Sequence, residues 1–439
     1  MAIGATGSST KATTAPGGGQ SYRGAFAMVT TLFFIWGFIT SLNDILIPHL
    51  KAIFDLNYAE VILIQVVFFV AYAVFGYPSG RIVEYIGYKR MMVVGLLIMA
   101  VGAVLFIPAA NMPSFPLFLV ALIFLGAGMA CLQVAANPYV TVLGPSETAS
   151  SRLNLSQAFN SLGTTIGPPI GGFLILKGAE KLVENVQALP PAALHAYRVQ
   201  QAATVKFPYI VITAVLILLA LVIGFYNFPR IAGATKESGA ERVQQPSIWR
   251  YRHVMLGAIA IFVYVGAEVA IGSFLINYFE MKNIAGLNAR DAAYYLPFYW
   301  GGAMVGRFIG SAILQKVKTE KLLTANAVIA LVLVVISIFS FGHIALWSIL
   351  AVGLFNSIMF PSIFTLGVAE MGPLTGEASG LLVTAIVGGA AIPELQGIIA
   401  DHIGLHHAFF IPVLCYIFIA WYGWKGSRVV QPKAALASR

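Results

Sequence analysis

Three acidic residues of this sequence stand inside long apolar runs: Asp44, Glu268 and Glu394. A charge near the centre of a lipid bilayer costs roughly 2.5–3.5 kcal/mol on insertion scales, so each of the three needs a reason to be there. Burial favours the neutral form of a carboxyl group, which can then bind a proton near neutral pH and release it when water arrives. All three are therefore candidate proton-coupling residues.

Each acid also has a plainer explanation. Asp44 could pair with a backbone or amide group, and Glu268 could bind substrate hydroxyls or pack against a neighbouring amide. Glu394 follows Pro393, which frees a backbone carbonyl that a protonated acid could bond. The residues alone leave these alternatives open.

Amide side chains recur in the same apolar runs at helical spacing. Gln133 and Asn137 are four residues apart and Gln157 and Asn160 are three apart, so each pair lies on one helix face. An amide both donates and accepts hydrogen bonds, as does every hydroxyl of a hexose. The alternative is hydrogen bonding between helices, worth about 0.6 kcal/mol per bond. The full set of candidate substrate-binding residues is Asn43, Gln133, Asn137, Gln157, Asn160, Glu268, Asn277, Tyr278 and Asn356.

The composition identifies the medium around these residues. Of the 439 residues, 59% are hydrophobic and 10% are charged, against roughly 45–50% and roughly 25% in soluble domains. A soluble core cannot hide so much apolar surface, so the chain is expected to lie in a bilayer. Long apolar runs exclude a disordered chain, a coiled coil, a cytosolic enzyme and a membrane β-barrel. The net charge of +9 is scattered between the runs, which favours a role in topology over nucleic-acid binding.

Twelve helical spans of about 20 residues or more fit the apolar runs. They are 26–53, 59–84, 90–111, 115–144, 152–178, 206–229, 253–282, 290–314, 321–341, 344–371, 375–403 and 407–427. With both termini in the cytoplasm, 18 Lys and Arg residues fall on the cytoplasmic side and 7 on the other, as the positive-inside rule requires. We expect one of two roles for Arg81, Arg90 and Arg307. They either latch two halves of the protein together by salt bridges on the cytoplasmic side, or only fix the orientation of the chain under the positive-inside rule.

The polar segment 230–252 divides the spans into six and six. We therefore expect a flexible cytoplasmic tail at 1–25, a six-helix bundle at 26–229, a cytoplasmic linker at 230–252, a second bundle at 253–427 and a cytoplasmic tail at 428–439. The halves repeat weakly, because Pro138 precedes Leu143-Gly144 as Pro361 precedes Leu366-Gly367, an offset of 223. Asp44 and Glu268 are 224 apart and so occupy equivalent spans.

Several motifs resemble a known transporter family. The stretch GRIVEYIGYKR at 80–90 resembles the inner loop motif of major facilitator transporters, with Glu84 where Asp is usual. SLNDILIP at 41–48, AANPYVTVLG at 135–144, RLNLSQAFNS at 152–161, YVGAE at 264–268 and PSIFTLG at 361–367 resemble the fucose–galactose–glucose proton-symporter family. L-fucose symporters of that family carry a functional Glu at the position of Gln133, so the glucose/galactose branch is the more similar.

The resemblance implies an all-α membrane protein with the major facilitator fold, twelve transmembrane helices in two six-helix bundles around a central cavity. It implies a symporter, not an enzyme, that imports a hexose by alternating access, most readily glucose or galactose. The proton is then the coupling ion, with no cofactor and no metal. The alternatives are a symporter for L-fucose or N-acetylglucosamine, an uncoupled sugar facilitator and a membrane sugar sensor. We expect a monomer in the cell (inner) membrane, without a nucleic-acid partner.

Overall fold

Helices dominate the part of the chain that the computed structural model describes, which is residues 19–54, 58–112, 114–171, 190–229 and 247–430. Within these ranges the description omits the side chains at 19–21, 43–49, 51–53, 58–62, 171, 191 and 195. The described ranges contain no β-strand. In the described part of the first half there are six α-helices: α1 Gly19–Phe54, α2 Tyr58–Asn111, α3 Phe115–Val142, α4 Ala149–Gly171, α5 Pro191–Ala203 and α6 Lys206–Phe225.

The second half consists of shorter helical pieces. They are α7 Arg252–Glu280, α8 Ala289–Ala293, α9 Leu296–Ile313, α10 Thr319–Phe339, α11 Gly342–Asn356, α12 Met359–Gly367, α13 Thr375–Thr384, α14 Gly388–Ile403, α15 Leu405–Ala408, α16 Phe410–Trp421 and a π-helical turn at Tyr422–Gly426. Several pieces join to make one span each, as α11 joins α12 and α13 joins α14.

The twelve predicted spans are confirmed within the described ranges. Nine segments there are apolar and long enough to cross a bilayer by length and composition. One of them, within α2, holds two predicted spans that meet at Gly87, where a φ of 79° turns the chain. The helices α4 and α9 supply the remaining two; they are less apolar because they carry polar side chains that face the other half.

The first helix begins earlier than the sequence suggested. Residues 19–25 were expected in a flexible tail, but α1 starts at Gly19. Ala25 is fully buried, and Gly24 packs so closely on the Tyr226 hydroxyl that a Cβ would collide with it. Packing against the end of the first half therefore extends the helix. Residues 1–18, 172–178 of the fifth predicted span, 230–246 of the linker and 431–439 lie outside the described residues.

Both ends of the linker are fixed to the body of the protein. On one side, Tyr139 donates a hydrogen bond of 3.3 Å to the Pro229 carbonyl and packs edge-on against Phe228, with ring centroids 5.5 Å apart. On the other side, Ile248 and Tyr251 are buried. The connection between the halves thus starts and finishes on rigid structure.

The two halves meet where α2 approaches α13 and α4 approaches α9. Gly80 and Gly376 lie at one end of the first contact, and Ser151 and Ser311 at the same end of the second. We call this end of the molecule the closed end. In the described ranges, the side-chain hydrogen bonds between halves run from there only as far as Thr165 on α4.

Candidate functional site

The acid Glu268 lies midway along α7 with its side chain 13% exposed. Tyr264, one turn earlier on the same helix face, places its hydroxyl 2.8 Å from Oε1 of Glu268. The nearest cation is Arg307 on α9, whose Nη2 lies 3.9 Å from the same oxygen. The acid is thus held between a hydroxyl donor and a guanidinium inside the second half.

A buried chain of hydrogen bonds surrounds this acid and uses both ends of the Asn356 side chain. Tyr416 donates to Asn356 Oδ1 at 2.8 Å, and Asn356 Nδ2 donates to the Tyr299 hydroxyl at 3.0 Å. Tyr299 in turn donates to the backbone carbonyl of Glu268 at 3.1 Å. The chain fixes α7, α9, α11 and α16 relative to one another, and it fixes the backbone of Glu268 with them.

The Tyr264 hydroxyl has one proton to donate and lies close to two oxygen atoms that could accept it. It lies 2.8 Å from Glu268 Oε1 and 3.1 Å from the Asn356 carbonyl oxygen. A hydroxyl donates once and accepts up to twice, so both distances are satisfied when Glu268 carries a proton and donates to Tyr264. Tyr264 then donates to Asn356. The geometry therefore accommodates a protonated Glu268 without leaving an acceptor unpaired.

Arg307 reaches from the second half to the first. Its guanidinium hydrogen-bonds the Ser161 hydroxyl on α4, and its Nε donates to the Ser357 carbonyl at 3.2 Å. Its backbone carbonyl accepts a 2.7 Å bond from Asn154 Nδ2, also on α4. One residue thus contacts the acid Glu268 and the opposite half of the protein at once.

Gln157 lies on the same face of α4 as these two contacts. It follows Asn154 by three residues and precedes Ser161 by four, so all three side chains point towards α9. Gln157 is 5% exposed as a whole residue, and its amide makes no hydrogen bond among the described residues, although neither amide atom is among the fully buried atoms that lack a partner. An amide that is buried and unused at the contact between the halves has free capacity for a polar ligand.

The other predicted amides of the first half are more constrained. Asn160 donates 3.0 Å to the Phe33 carbonyl on α1, and Gln133 donates 2.8 Å to the Tyr72 hydroxyl on α2. Asn137, one turn after Gln133, is fully buried, and neither its nitrogen nor its oxygen finds a partner within the described part of the chain. Gln133 and Asn160 therefore hold helices together, whereas Asn137 does not.

Three predicted site residues lie away from this cluster in the described structure, and two more have side chains that it does not describe. Tyr278 is buried in the second half, where its hydroxyl lies 2.9 Å from Ser337 Oγ and its ring packs on Phe409. Asn277 and Glu394 are exposed. Asn43 and Asp44 belong to α1, and their side chains lie outside the described residues.

A comparison with family models decides the family, since residues 28–393 match the model described as Major Facilitator Superfamily. The chain belongs to the Major Facilitator Superfamily. It is 49% identical to the glucose/galactose transporter of Brucella abortus, a match that covers 93% of this chain and 95% of that protein. It is 36% identical to the L-fucose-proton symporter of Escherichia coli strain K12, covering 92% and 93%.

A solved structure agrees with the helical arrangement of this major facilitator. The crystal structure of a Major Facilitator Superfamily transporter in the outward conformation matches with a TM-score of 0.86 and 35% identity, covering 93% of this chain and 100% of that chain. The fold class predicted from the sequence is therefore confirmed, and the chain is a membrane-spanning transporter, not an enzyme.

The arginine latches expected in this major facilitator take two forms. Arg81 Nε lies 3.6 Å from Glu377 Oε1 across the halves, on a side chain that is 66% exposed. Arg307 instead crosses the halves by hydrogen bonds, and its ion pair with Glu268 stays within the second half. Reasoning from the sequence missed Tyr72, Tyr264 and Tyr416 as polar partners, because tyrosine in an apolar run is common at membrane interfaces and carries no distinguishing spacing.

Proposed function

We propose that this major facilitator is a proton-coupled symporter that imports a hexose, glucose or galactose first, by alternating access. The near-full-length similarity to a protein named glucose/galactose transporter supports the substrate class. The similarity to a protein named L-fucose-proton symporter supports the coupling ion. The observation that carries the proposal is Gln157, a buried amide without a partner among the described residues, at the contact between the two halves.

The free capacity of Gln157 suits a sugar. An amide without a partner in the protein can both donate to and accept from a sugar hydroxyl, and such a bond is worth about 0.5–1.5 kcal/mol. Asn137 offers the same capacity deeper towards the closed end. Gln133 stands where L-fucose symporters carry an acid, and its carboxamide is neutral at every pH because it does not titrate. This favours glucose or galactose over L-fucose.

We assign the coupling proton to Asp44 and Glu268. Asp44 occupies in the first half the span that Glu268 occupies in the second. A proton on Glu268 completes the chain of bonds through Tyr264 to Asn356 and weakens the attraction to Arg307. Because Arg307 also bonds Ser161, gain and loss of that proton alter how firmly α4 and α9 stay together. Protonation thus acts on the contact that must open during transport.

We place the closed end in the cytoplasm, with both termini on that side of the cell (inner) membrane. The excess of Lys and Arg on that side supports this orientation. The structure is then outward-facing, like the solved relative in its outward conformation. Each chain contributes both halves of the site, so we propose that the monomer transports.

The decisive experiment measures uptake of labelled glucose into proteoliposomes that hold the purified protein. We expect uptake driven by an inward proton gradient, abolished by a proton uncoupler, and competed by galactose more than by L-fucose or N-acetylglucosamine. Uptake that ignores the uncoupler would replace the symporter by a facilitator. Binding without any uptake would replace transport by sensing.

The substitution Gln157→Ala tests the sugar contact. Loss of one neutral hydrogen bond should raise the dissociation constant for glucose by a factor of about two to ten, since such a bond is worth about 0.5–1.5 kcal/mol. Isothermal titration of the purified protein measures this. The matched control is Gln315→Ala, which alters an exposed amide on the loop after α9. Equal affinities for both variants would remove Gln157 from the site.

The substitution Asp44→Asn tests the coupling proton. Asn mimics a permanently protonated acid, so the variant should bind glucose and exchange it across the membrane without accumulating it against a gradient. The measurement compares exchange and accumulation in the same vesicles. Normal accumulation would exclude Asp44, and Glu268→Gln would be the next variant. If Glu268→Gln also accumulates glucose normally, the proton coupling assigned to these two residues is wrong.

A further inference from the structure

A cavity of about 330 Å³ opens at the closed end of the second half, far from the cluster around Glu268. Three cationic side chains line it together with one large aromatic ring; the complete lining is Arg252, Trp421, Lys425, Gly426, Arg428 and Val430. No acid lines it. In the described part of the chain, none of the three cations lies within 4.0 Å of a carboxylate oxygen, since the ion pairs found there involve Arg81 and Arg307.

The cavity is built by a local departure from the α-helix. The last span ends in a π-helical turn at Tyr422–Gly426, closed by a 2.8 Å bond from the Ser427 amide to the Tyr422 carbonyl five residues earlier. The wider turn carries Lys425 and is followed at once by Arg428. Gly426 packs so tightly on the Trp421 ring that a Cβ would lie 3.1 Å from it. Such turns are frequent at functional sites.

The position of the cavity matches the headgroup level of a membrane. Arg252 is the first residue of one membrane-spanning segment, and Gly426 is the last residue of another. Trp421 lines the cavity, and Trp424 beside it is 68% exposed. Tryptophan is enriched at the boundary between the hydrocarbon of a bilayer and water, so both residues fit that level. A ligand in this cavity would have its charge at the surface and its apolar part in the bilayer.

We propose that this cavity binds a phosphate group, and that its place in the membrane favours the phosphodiester headgroup of an anionic phospholipid over free phosphate. Three cations around one space, none in an ion pair with a described residue, suit an anion whose several oxygens accept hydrogen bonds from different directions. Basic pockets between transmembrane helices on the cytoplasmic side hold such headgroups in other membrane proteins. The site lies outside the sugar pathway and does not depend on the transported substrate.

Native mass spectrometry of the full chain in detergent tests the proposal. With phosphatidylglycerol and phosphatidylcholine supplied in equal amounts, the protein should retain one phosphatidylglycerol in preference. Each cation near an anionic lipid contributes about fivefold to affinity, so the triple variant Arg252→Gln, Lys425→Gln, Arg428→Gln should lose about a hundredfold. The three side chains are exposed, so their replacement should not disturb the fold. The single variant Lys425→Gln, whose affinity for phosphatidylglycerol should fall about fivefold, provides the test if the triple variant nevertheless misfolds.

The matched controls are Arg250→Gln and Lys318→Gln, which remove exposed cations at the same end but outside the cavity. They should keep the wild-type preference. If they lose phosphatidylglycerol as strongly as the cavity variants, the cations act only as a diffuse positive surface and the proposal is overturned. Equal retention of both lipids by the wild-type protein would overturn it as well.

A second arm separates the two sources of phosphate. Inorganic phosphate alone, added to lipid-depleted protein, should raise its melting temperature less than phosphatidylglycerol does at a far lower concentration. If phosphate protects the wild-type protein but not the triple variant while phosphatidylglycerol has no effect, the phosphate site stands and the lipid assignment is wrong. If neither ligand distinguishes the wild-type protein from the triple variant, no phosphate site exists.

Discussion

The two contacts between the halves are made by different chemical groups. Where α2 meets α13, Gly76 and Gly80 face Gly376 and Gly380, and the helices approach until backbone touches backbone. Where α4 meets α9, buried side chains bond across the gap: Ser151 Oγ donates to the Ser311 carbonyl at 2.7 Å. The centre of the first contact is glycine backbone, and the second contact is made by polar side chains.

Charged groups flank the glycine contact, with Glu84 buried beside it and Arg81 largely exposed. Glu84 accepts a 3.2 Å bond from the Glu377 amide in the first turn of α13, where a negative charge favours the exposed amides of a helix. Tyr77 donates to the Glu377 carboxylate, and Arg81 lies 3.6 Å from it. These groups reach water when the contact opens, so the contact can open without stranding a polar group.

The difference teaches how a tight seal can also be reversible. Glycine backbones already hold their hydrogen bonds within each helix, so separating the glycines of α2 from those of α13 costs packing but breaks no hydrogen bond of the glycines themselves. Separating α4 from α9 breaks bonds of Asn154 and Arg307, which water entering the gap replaces at a net cost of about 0.5–1.5 kcal/mol each. Both contacts are therefore stable while water is excluded, and both open at a small cost in free energy once water enters.

The largest effect should come from breaking the shape of the glycine contact. A Cβ on Gly380 would lie 2.8 Å from the Gly76 carbonyl oxygen and from Gly80 Cα, which are backbone atoms that cannot move aside. Gly380→Leu should therefore destabilise the closed conformation by more than the value typical of overpacking, about 1–3 kcal/mol, and hold the closed end apart. Spin labels at Arg90 and Lys318 should report a longer distance, and uptake should be nearly lost.

The control for that variant is Gly224→Leu, because nothing lies within 4 Å of a Cβ built there. It should keep both the distance between the labels and the uptake rate of the parent. An unchanged distance in Gly380→Leu would show that the glycine contact does not set the closure.

A smaller effect should follow from weakening the polar contact. Arg307→Lys keeps a charge opposite Glu268 but loses the fork that reaches Ser161 and the Ser357 carbonyl together. Since lysine retains one of these bonds, the closed end should lose about 1.5 kcal/mol, roughly tenfold in the ratio of closed to open protein. The same label pair measures that ratio, and a ratio equal to that of the parent would contradict the role given to Arg307.

The smallest effect should come from the rim of the glycine contact. Arg81→Gln removes an ion pair whose cation is 66% exposed, and such pairs contribute about 0–1 kcal/mol. We expect the ratio of closed to open protein, read from the label distances, to change by less than about fivefold and the change to vanish at high salt. A large, salt-independent shift would mean that charge, not the fit of the glycines, seals this contact.

The sequence predicted the fold because apolar runs of about 20 residues have one solution in a bilayer. It placed a break between the second and third spans at 85–89, and the chain does turn there, at Gly87. It did not predict that helical structure continues on both sides of that glycine, since a polar stretch reads as a loop. Nor did it predict that α1 would begin at Gly19, because the start of α1 packs at Gly24 on Tyr226, which is distant in the sequence.

The candidate site was predicted unevenly for a physical reason. Gln157 and Glu268 stood out because polar side chains are rare in apolar runs. Which of these groups are already bonded depends on neighbours far along the chain: Tyr278 is bonded to Ser337 and Asn356 to Tyr416. Helical spacing reports one face of one helix and not what lies across from it. Asp44 as the coupling residue stays a prediction.

The fixed ends of the linker have a consequence for how the chain could be divided. Phe228 and Pro229 are held by Tyr139 in the first half, and Ile248 is buried at the start of the second. Each residue of an extended chain spans at most about 3.3–3.6 Å, so residues 230–246 together can reach much farther than a rocking motion of a few ångströms requires. The covalent connection is then dispensable once both pieces are inserted. Two separately expressed polypeptides, cut within 230–246, should assemble into a working pair.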